Sequence, residues 1–398
     1  MSMTATPPQE SFRVDMLWND ARYRSTFIQT IALMLVMLAV AWLASNAVRN
    51  LEALGKDFNF SFLWQPASYD INQRLIEYDS RDSNARAALL GILNTLLVAA
   101  MGIVTATVIG VVAGVLRLSK NWIVSRLMAV YVEAFRNVPL LIWILMIAAA
   151  VNETLPAPSA FRGVETGAFV ATNRGLYVPA PIFGEGSTPI VAIFLASLAG
   201  LFLLRRWAAK RQAETGEQFP VFWAGLALLV APATLAFLAL GRPIDLELPE
   251  LAGFNFRGGF FLRDSLVAMW LALSLYTGAF IAETVRAGIL AVSHGQSEAA
   301  YALGLRPNRA MSLVVLPQAL RVIVPPLISQ YLNLTKNSSL AIAVGYMDAT
   351  GTLGGITLNQ TGREMECILL LMAFYLTVSL LISGVMNWYN TRVKLVER

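Results

Sequence analysis

The 398-residue sequence has one cysteine, Cys367, and one histidine, His294. A lone cysteine excludes a disulfide within the chain, and a lone histidine without neighbouring ligand types has no metal-ligand spacing. Charge is scarce too. Asp, Glu, Lys and Arg make up 14% of the residues, against about 25% in an ordinary soluble domain. No Gly-x-x-x-x-Gly-Lys-Ser/Thr stretch occurs, so the phosphate-cradling loop of that type is missing. A cleavable signal peptide is not expected. The first residues mix Asp15 and Asp20 with Arg13, Arg22 and Arg24, and the apolar run behind them is too long.

Apolar residues take the place of the missing charge, at 57% of the chain. Runs of about 20 such residues mark helices able to cross a hydrocarbon layer about 30 Å thick. Eight are present, near Phe27–Asn46, Leu89–Leu116, Leu127–Val151, Thr188–Leu204, Pro220–Gly241, Ser265–Ala291, Val322–Tyr346 and Cys367–Tyr389. The expected fold class is an all-α integral membrane protein with about eight transmembrane helices.

Basic residues set the expected orientation. With the N-terminus inside, Arg117, Lys120, Arg126, Arg205, Arg206, Lys210, Arg211, Arg306, Arg309, Arg321, Arg392, Lys394 and Arg398 fall on the cytoplasmic face. The outer segments carry Asp57, Asp70, Glu77, Asp79 and Asp82. Both termini are therefore expected in the cytoplasm. This bias accounts for the net charge of +5, so a nucleic-acid partner is not expected.

The chain divides into a cytoplasmic N-terminus (1–26), a first transmembrane helix (27–46) and an outer segment (47–87). Two core parts (88–151 and 263–390) flank an insertion (152–262), and a cytoplasmic tail follows (391–398). The insertion joins a Pro- and Gly-rich outer loop to two charge-free spans linked by a basic stretch. Those spans read as peripheral, lipid-facing helices.

Residues 297–317 are unlike the rest. Glu298, Ala299, Ala300, Tyr301, Ala302 and Leu303 are strong helix formers with an acid placed for the first turn. Gly304 suits a left-handed stop, Pro307 cannot continue the helix, and Asn308 suits the cap of the next one, which rises through Leu316 and Pro317. The alanines leave a flat face, with Tyr301 and Leu303 as apolar anchors. A docking surface for a soluble partner and a helix lying on the membrane surface both fit this pattern.

Glu298-Ala299-Ala300, Gly304, Val314 and Leu316-Pro317 resemble the EAA signature of ABC-importer permeases, with Val in place of the usual Ile. Tyr276–Ile289, Leu334–Leu340 and Tyr131–Leu140 resemble the polar amino-acid branch, and the added segments resemble the long permeases of general L-amino-acid importers in Gram-negative bacteria. The resemblance implies a type I (MetI-like) permease core in the cell inner membrane that imports L-amino acids by alternating access. The EAA loop, 293–317, would couple it to a separate ATPase through Glu298, Ala299, Ala300, Tyr301, Leu303, Gly304, Leu316 and Pro317. The implied partners are ATP-binding-cassette subunits, a second and paralogous permease subunit, and a periplasmic amino-acid-binding protein. The implied ATP and Mg sit on the ATPase. No cofactor, metal or catalytic group is expected on this chain.

Charges within spans are costly and tend to face a cavity or a partner. Lys336 lies among Asn333, Asn337, Ser338 and Ser339, a cluster too polar for a lipid face. It is expected to line the translocation path. The alternative is a packed polar interface, with Lys336 paired to an acid such as Glu283. Glu133 with Arg136, and Glu283 with Arg286, stand three apart, so each pair can neutralise itself as an inner gate or clamp. Pro325-Pro326 predicts a bend, and Gly102, Gly110 and Gly114 predict close helix packing. The competing reading is an ion-coupled secondary transporter. It predicts inverted repeats, and no second copy of the 276–340 pattern is present.

Overall fold

The computed structural model describes residues 16–53, 55, 58–164 and 166–393. Arg13, Asp15, Asp57, Lys394 and Arg398, which entered the charge reading, lie outside the described residues. The chain forms two units, divided between Leu63 and Trp64. In the first, α1 (Ala21–Ala53) is a 33-residue helix, about 50 Å long at 1.5 Å per residue. Its apolar side chains are exposed along its length.

The second unit is a helical bundle with a small β cap. Its axis is the pair α2 (Asn84–Leu116) and α7 (Asp264–Leu290), which run parallel, with Thr105 beside Ser274, Gly110 beside Ile281 and Gly114 beside Ala282. Leu266, Met269, Leu273 and Ile281 of α7 are fully buried with Val98 of α2. Small residues bring the backbones together. A Cβ on Gly110 would stand 2.5 Å from Ile281, and one on Gly114 would stand 2.6 Å from the Ala282 carbonyl. Gly102 instead faces Leu334, 3.2 Å from where its Cβ would be. All three expected packing glycines are therefore at helix contacts.

The apolar run Leu127–Val151 is not one span. It is two helices, α3 (Trp122–Asn137) and α4 (Leu140–Thr154), parted at Val138, whose backbone is extended at φ −109° and ψ 134°. Pro139 imposes this, because its ring disfavours helical geometry in the residue before it. The helix apolar enough to cross a membrane begins at Leu140, and eight such helices occur among the described residues.

The insertion holds structure that its Pro- and Gly-rich composition concealed. Among the described residues seven short strands form three small antiparallel sheets, an exception to the all-α expectation. They are β1 (Val170–Thr172), β2 (Gly175–Val178), β3 (Ala180–Phe183), β4 (Ile244–Glu247), β5 (Glu250–Ala252), β6 (Asn255–Arg257) and β7 (Phe260–Arg263). β2 pairs with β7 from Gly175↔Arg263 to Val178↔Phe260, and β3 pairs with β4 from Ala180↔Glu247 to Phe183↔Ile244. These ladders close the neck of a hairpin made by α5 (Ser187–Thr215) and α6 (Val221–Ala239). The two helices pack chiefly on each other, with Gly225 against Leu201. Phe222 and Trp223 stay exposed, as lipid-facing helices require.

Within the second unit, residues 67–78 of the outer segment pack against α2. Tyr69, Ile71 and Tyr78 are buried with Ala87 and Leu90. The Tyr78 hydroxyl donates to the Tyr69 carbonyl at 2.9 Å, and the Tyr69 and Thr357 hydroxyls meet at 2.9 Å.

Candidate coupling loop and translocation face

The bundle end opposite the β cap carries α8 (His294–Ala302). Its stop follows from Gly304, whose φ of +79° lies in the left-handed region. There the Leu305 N–H reaches the Ala300 carbonyl at 3.1 Å, and the Gly304 N–H reaches that of Tyr301 at 2.9 Å. This is the Schellman closure that glycine permits without Cβ strain. Ala300 is buried, whereas Glu298, Ala299, Tyr301 and Ala302 are exposed, and Leu303 is 83% exposed. An apolar Leu and Tyr therefore stand uncovered on a polar end of the molecule. Leu316 and Pro317, also exposed, begin α9 (Leu316–Asn337).

Two local expectations need correction. Glu298 is in the middle of α8, not its first turn, because the helix begins at His294. His294 opens that helix, and its Nδ1 lies 3.0 Å from the Glu298 carboxylate. Asn308 caps nothing. Pro307 starts the next short helix with Arg306 at its N-cap, since a residue lacking an N–H suits the first helical position.

The gate pairs are brought into one network, but not as two independent pairs. Glu283 does meet Arg286, at 2.8 Å. Glu133, by contrast, meets Arg117 at 3.7 Å, and Arg117 also donates to Glu283. Arg136 faces Glu283 at 3.9 Å, with its guanidinium over the Phe280 ring. Arg117 caps the C-terminus of α2, where the chain turns back into α3, and this puts it between the two carboxylates. Glu283 thus meets three arginines. A groove of about 320 Å³ opens beside them, walled by Phe280 and Thr284 of α7 and by Val322, Pro326 and Gln330 of α9.

One stripe of α9 is exposed: Val322, Pro326, Ser329, Asn333 and Lys336. Their three- and four-residue spacing puts them on one face. Ile323, Ile328, Leu334 and Thr335 are buried on the opposite side. Lys336 and Asn333 therefore share a face with the groove-lining Val322 and Pro326. Asn337 and Ser339 are half-buried beside them. Ser338 is fully buried, its hydroxyl on the Thr335 carbonyl at 2.8 Å, and is off this face. Lys336 is in the last turn of α9, and no carboxylate lies within ion-pair distance of it among the described residues. The proposed Glu283 partner is committed to arginines instead.

Sequence reasoning missed Asp348. It follows α9 and a 3₁₀ turn (Ser338–Val344), in a stretch that continues as a π-helix over Thr350–Thr357. Asp348 is wholly buried, accepts the Gly351 N–H at 2.8 Å, and has the Tyr375 hydroxyl at 3.4 Å. Burial pushes its carboxyl up to about 7, against the pull of these hydrogen bonds. Asn94 and Thr95 of α2 pin this stretch, reaching the Met347 carbonyl at 2.9 Å and the Ala349 N–H at 3.0 Å. A lone acid in an apolar, glycine-rich run was the one signal available.

Residues 204–395 match the family of binding-protein-dependent transport system inner membrane components. The chain is 51% identical to the glutamate/glutamine/aspartate/asparagine transport system permease protein BztB of Rhodobacter capsulatus, across the whole of both chains. It is 45% identical to the general L-amino acid transport system permease protein AapQ of Rhizobium johnstonii, covering 98% of this chain and 96% of that one. A crystal structure of an amino acid ABC transporter with histidines aligns over 77% of this chain and 94% of that chain, at 18% identity and a TM-score of 0.45. No such relative is a secondary transporter by name. The chain belongs to the family of binding-protein-dependent ABC-transporter permeases, in its amino-acid branch.

Proposed function

We propose that this permease imports L-amino acids from the periplasm to the cytoplasm, with both termini cytoplasmic, driven by ATP hydrolysis on a partner chain. ATP and Mg belong to that ATPase, and a paralogous permease completes the membrane dimer. A periplasmic amino-acid-binding protein delivers the cargo. One observation carries the coupling role: α8 offers uncovered Tyr301 and Leu303 beside a fixed glycine stop, at the same bundle end as the Glu283 network. An apolar helix face of this kind fits a groove in a soluble partner. Closure of the ATPase dimer would draw the coupling helices of the two permease subunits together and turn the cavity outward. Glu283 with its arginines would act as the inner clamp, and Asn333 and Lys336 would line the path.

The test is disulfide capture and coupling. Leu303→Cys should crosslink to a cysteine placed in the ATPase groove, and Gly304→Val should lower transport-coupled ATP hydrolysis while the complex assembles. No crosslink, together with normal coupling in the Gly304 variant, would sink the docking role. Uptake that survives ATP depletion and follows an ion gradient would sink the ABC reading itself.

A further inference from the structure

At the cap end, a cleft of about 790 Å³ lies over the start of α7. This is within the range of small-ligand sites. Its floor is Leu97 of α2, one wall is the loop carrying Asp70, Asn72 and Arg74, and the other is β7 with Phe260 and Arg263. The two arginines differ. Arg74 is spent: its guanidinium meets Asp70 at 2.5 Å and the Ile71 carbonyl at 2.9 Å. Arg263 makes no side-chain hydrogen bond or ion pair among the described residues. Its Nε is shut off from solvent without an acceptor, and the guanidinium stands 5.9 Å from the centre of the Phe261 ring. A cation set against an aromatic ring in a cleft, with donors left over, is arranged to receive an anion. The same cleft exposes the Asp70 carboxylate and the Asn72 side chain.

We propose that this cleft is an outer-mouth subsite for a free amino acid, with the cargo carboxylate on Arg263 and its ammonium toward Asp70. The proposal rests on the amino-acid permease reading. Opposite charges in one cleft select a zwitterion, and the open Phe260 wall tolerates different side chains. The position is apt as well. Arg263 immediately precedes α7, a 27-residue helix about 40 Å long, whose far end carries Glu283. Cargo held here would stand at the opposite end of that helix from the inner clamp.

The experiment uses the assembled permease–ATPase complex in lipid nanodiscs without binding protein, and radiolabelled L-glutamine as the probe. Saturable binding is expected. Arg263→Gln should weaken it about tenfold or more, as loss of a charged hydrogen-bonding partner does, and Arg263→Lys should restore part of it. Asn72→Ala and Phe260→Ala, on the exposed rim, should each weaken it about threefold. If Arg263→Gln does not assemble, the rim variants decide: unchanged binding in both overturns the subsite. Binding lost in Lys336→Met but kept in Arg263→Gln also overturns it, since the cargo would then sit on the α9 stripe. Absent binding to a complex that still transports glutamine with its binding protein refutes the subsite and leaves the permease reading standing. A complex that transports no amino acid under any condition refutes the permease reading instead.

Discussion

Two acids of this bundle, Glu283 and Asp348, solve the same problem in opposite ways. Glu283 is partly buried among Arg117, Arg136 and Arg286. Asp348 is wholly buried with backbone N–H groups and a tyrosine hydroxyl for partners, and no cation pairs with it among the described residues. A carboxylate beside guanidinium groups keeps its charge, because Coulomb attraction offsets the loss of water. One without a cation holds its proton instead. The first kind of site ties together helices α2, α3 and α7. The second fixes one irregular stretch of backbone.

The comparison can be broken most severely at Asp348. The folded chain retains its proton between the ordinary value of 3.8 and about 7, whereas the unfolded chain releases it near 3.8. Stability should therefore be greatest below about pH 4, fall as pH rises through 7, and level off above. The full span is at most on the order of 4 kcal/mol. Asp348→Asn should flatten that part of the profile, read from thermal midpoints of the purified complex at a series of pH values. A profile unchanged by the substitution would show that Asp348 is ionised in the fold.

Glu283→Gln is expected next in size. It leaves three arginines facing one another, and the partly buried setting suggests a loss of about 2–3 kcal/mol. The loss should be partly relieved by adding Arg117→Gln, a double substitution that tests the network rather than the residue. Additive losses would separate Arg117 from Glu283. The smallest effect belongs to Glu133, whose side chain is 67% exposed. Glu133→Gln should cost no more than about 1 kcal/mol. A larger loss would place Glu133 in the ion-pair network on equal terms with Glu283.

Legibility in the sequence followed the range of the interaction. Spans are readable because their length is a property of one contiguous run, and Glu283–Arg286 is readable because helix pitch puts the two on one face. Arg117 reaches Glu283 across 166 positions, and no local spacing encodes that. The break at Val138 had a local cause in Pro139, yet the apolar run on both sides hid it. The strands of the cap are three or four residues each, too short for alternation to register. Asp348 was visible only as an acid where none should be tolerated, and its burial depends on Gly91 and Thr95 of a distant helix approaching closely. The short helix α8 was readable as a helix with a glycine stop and apolar Tyr301 and Leu303, but its start at His294 was not.

The paired ladders at the neck of the α5–α6 hairpin have a consequence for how such a protein varies. Val178↔Phe260 and Ala180↔Glu247 bring the two strands of chain together before the hairpin departs. The core helices α4 and α7 are thus held by a clasp whose geometry does not depend on what hangs below it. The hairpin is a pendant. It can lengthen, shorten or change its lipid-facing residues while the spacing of the transport helices stays the same.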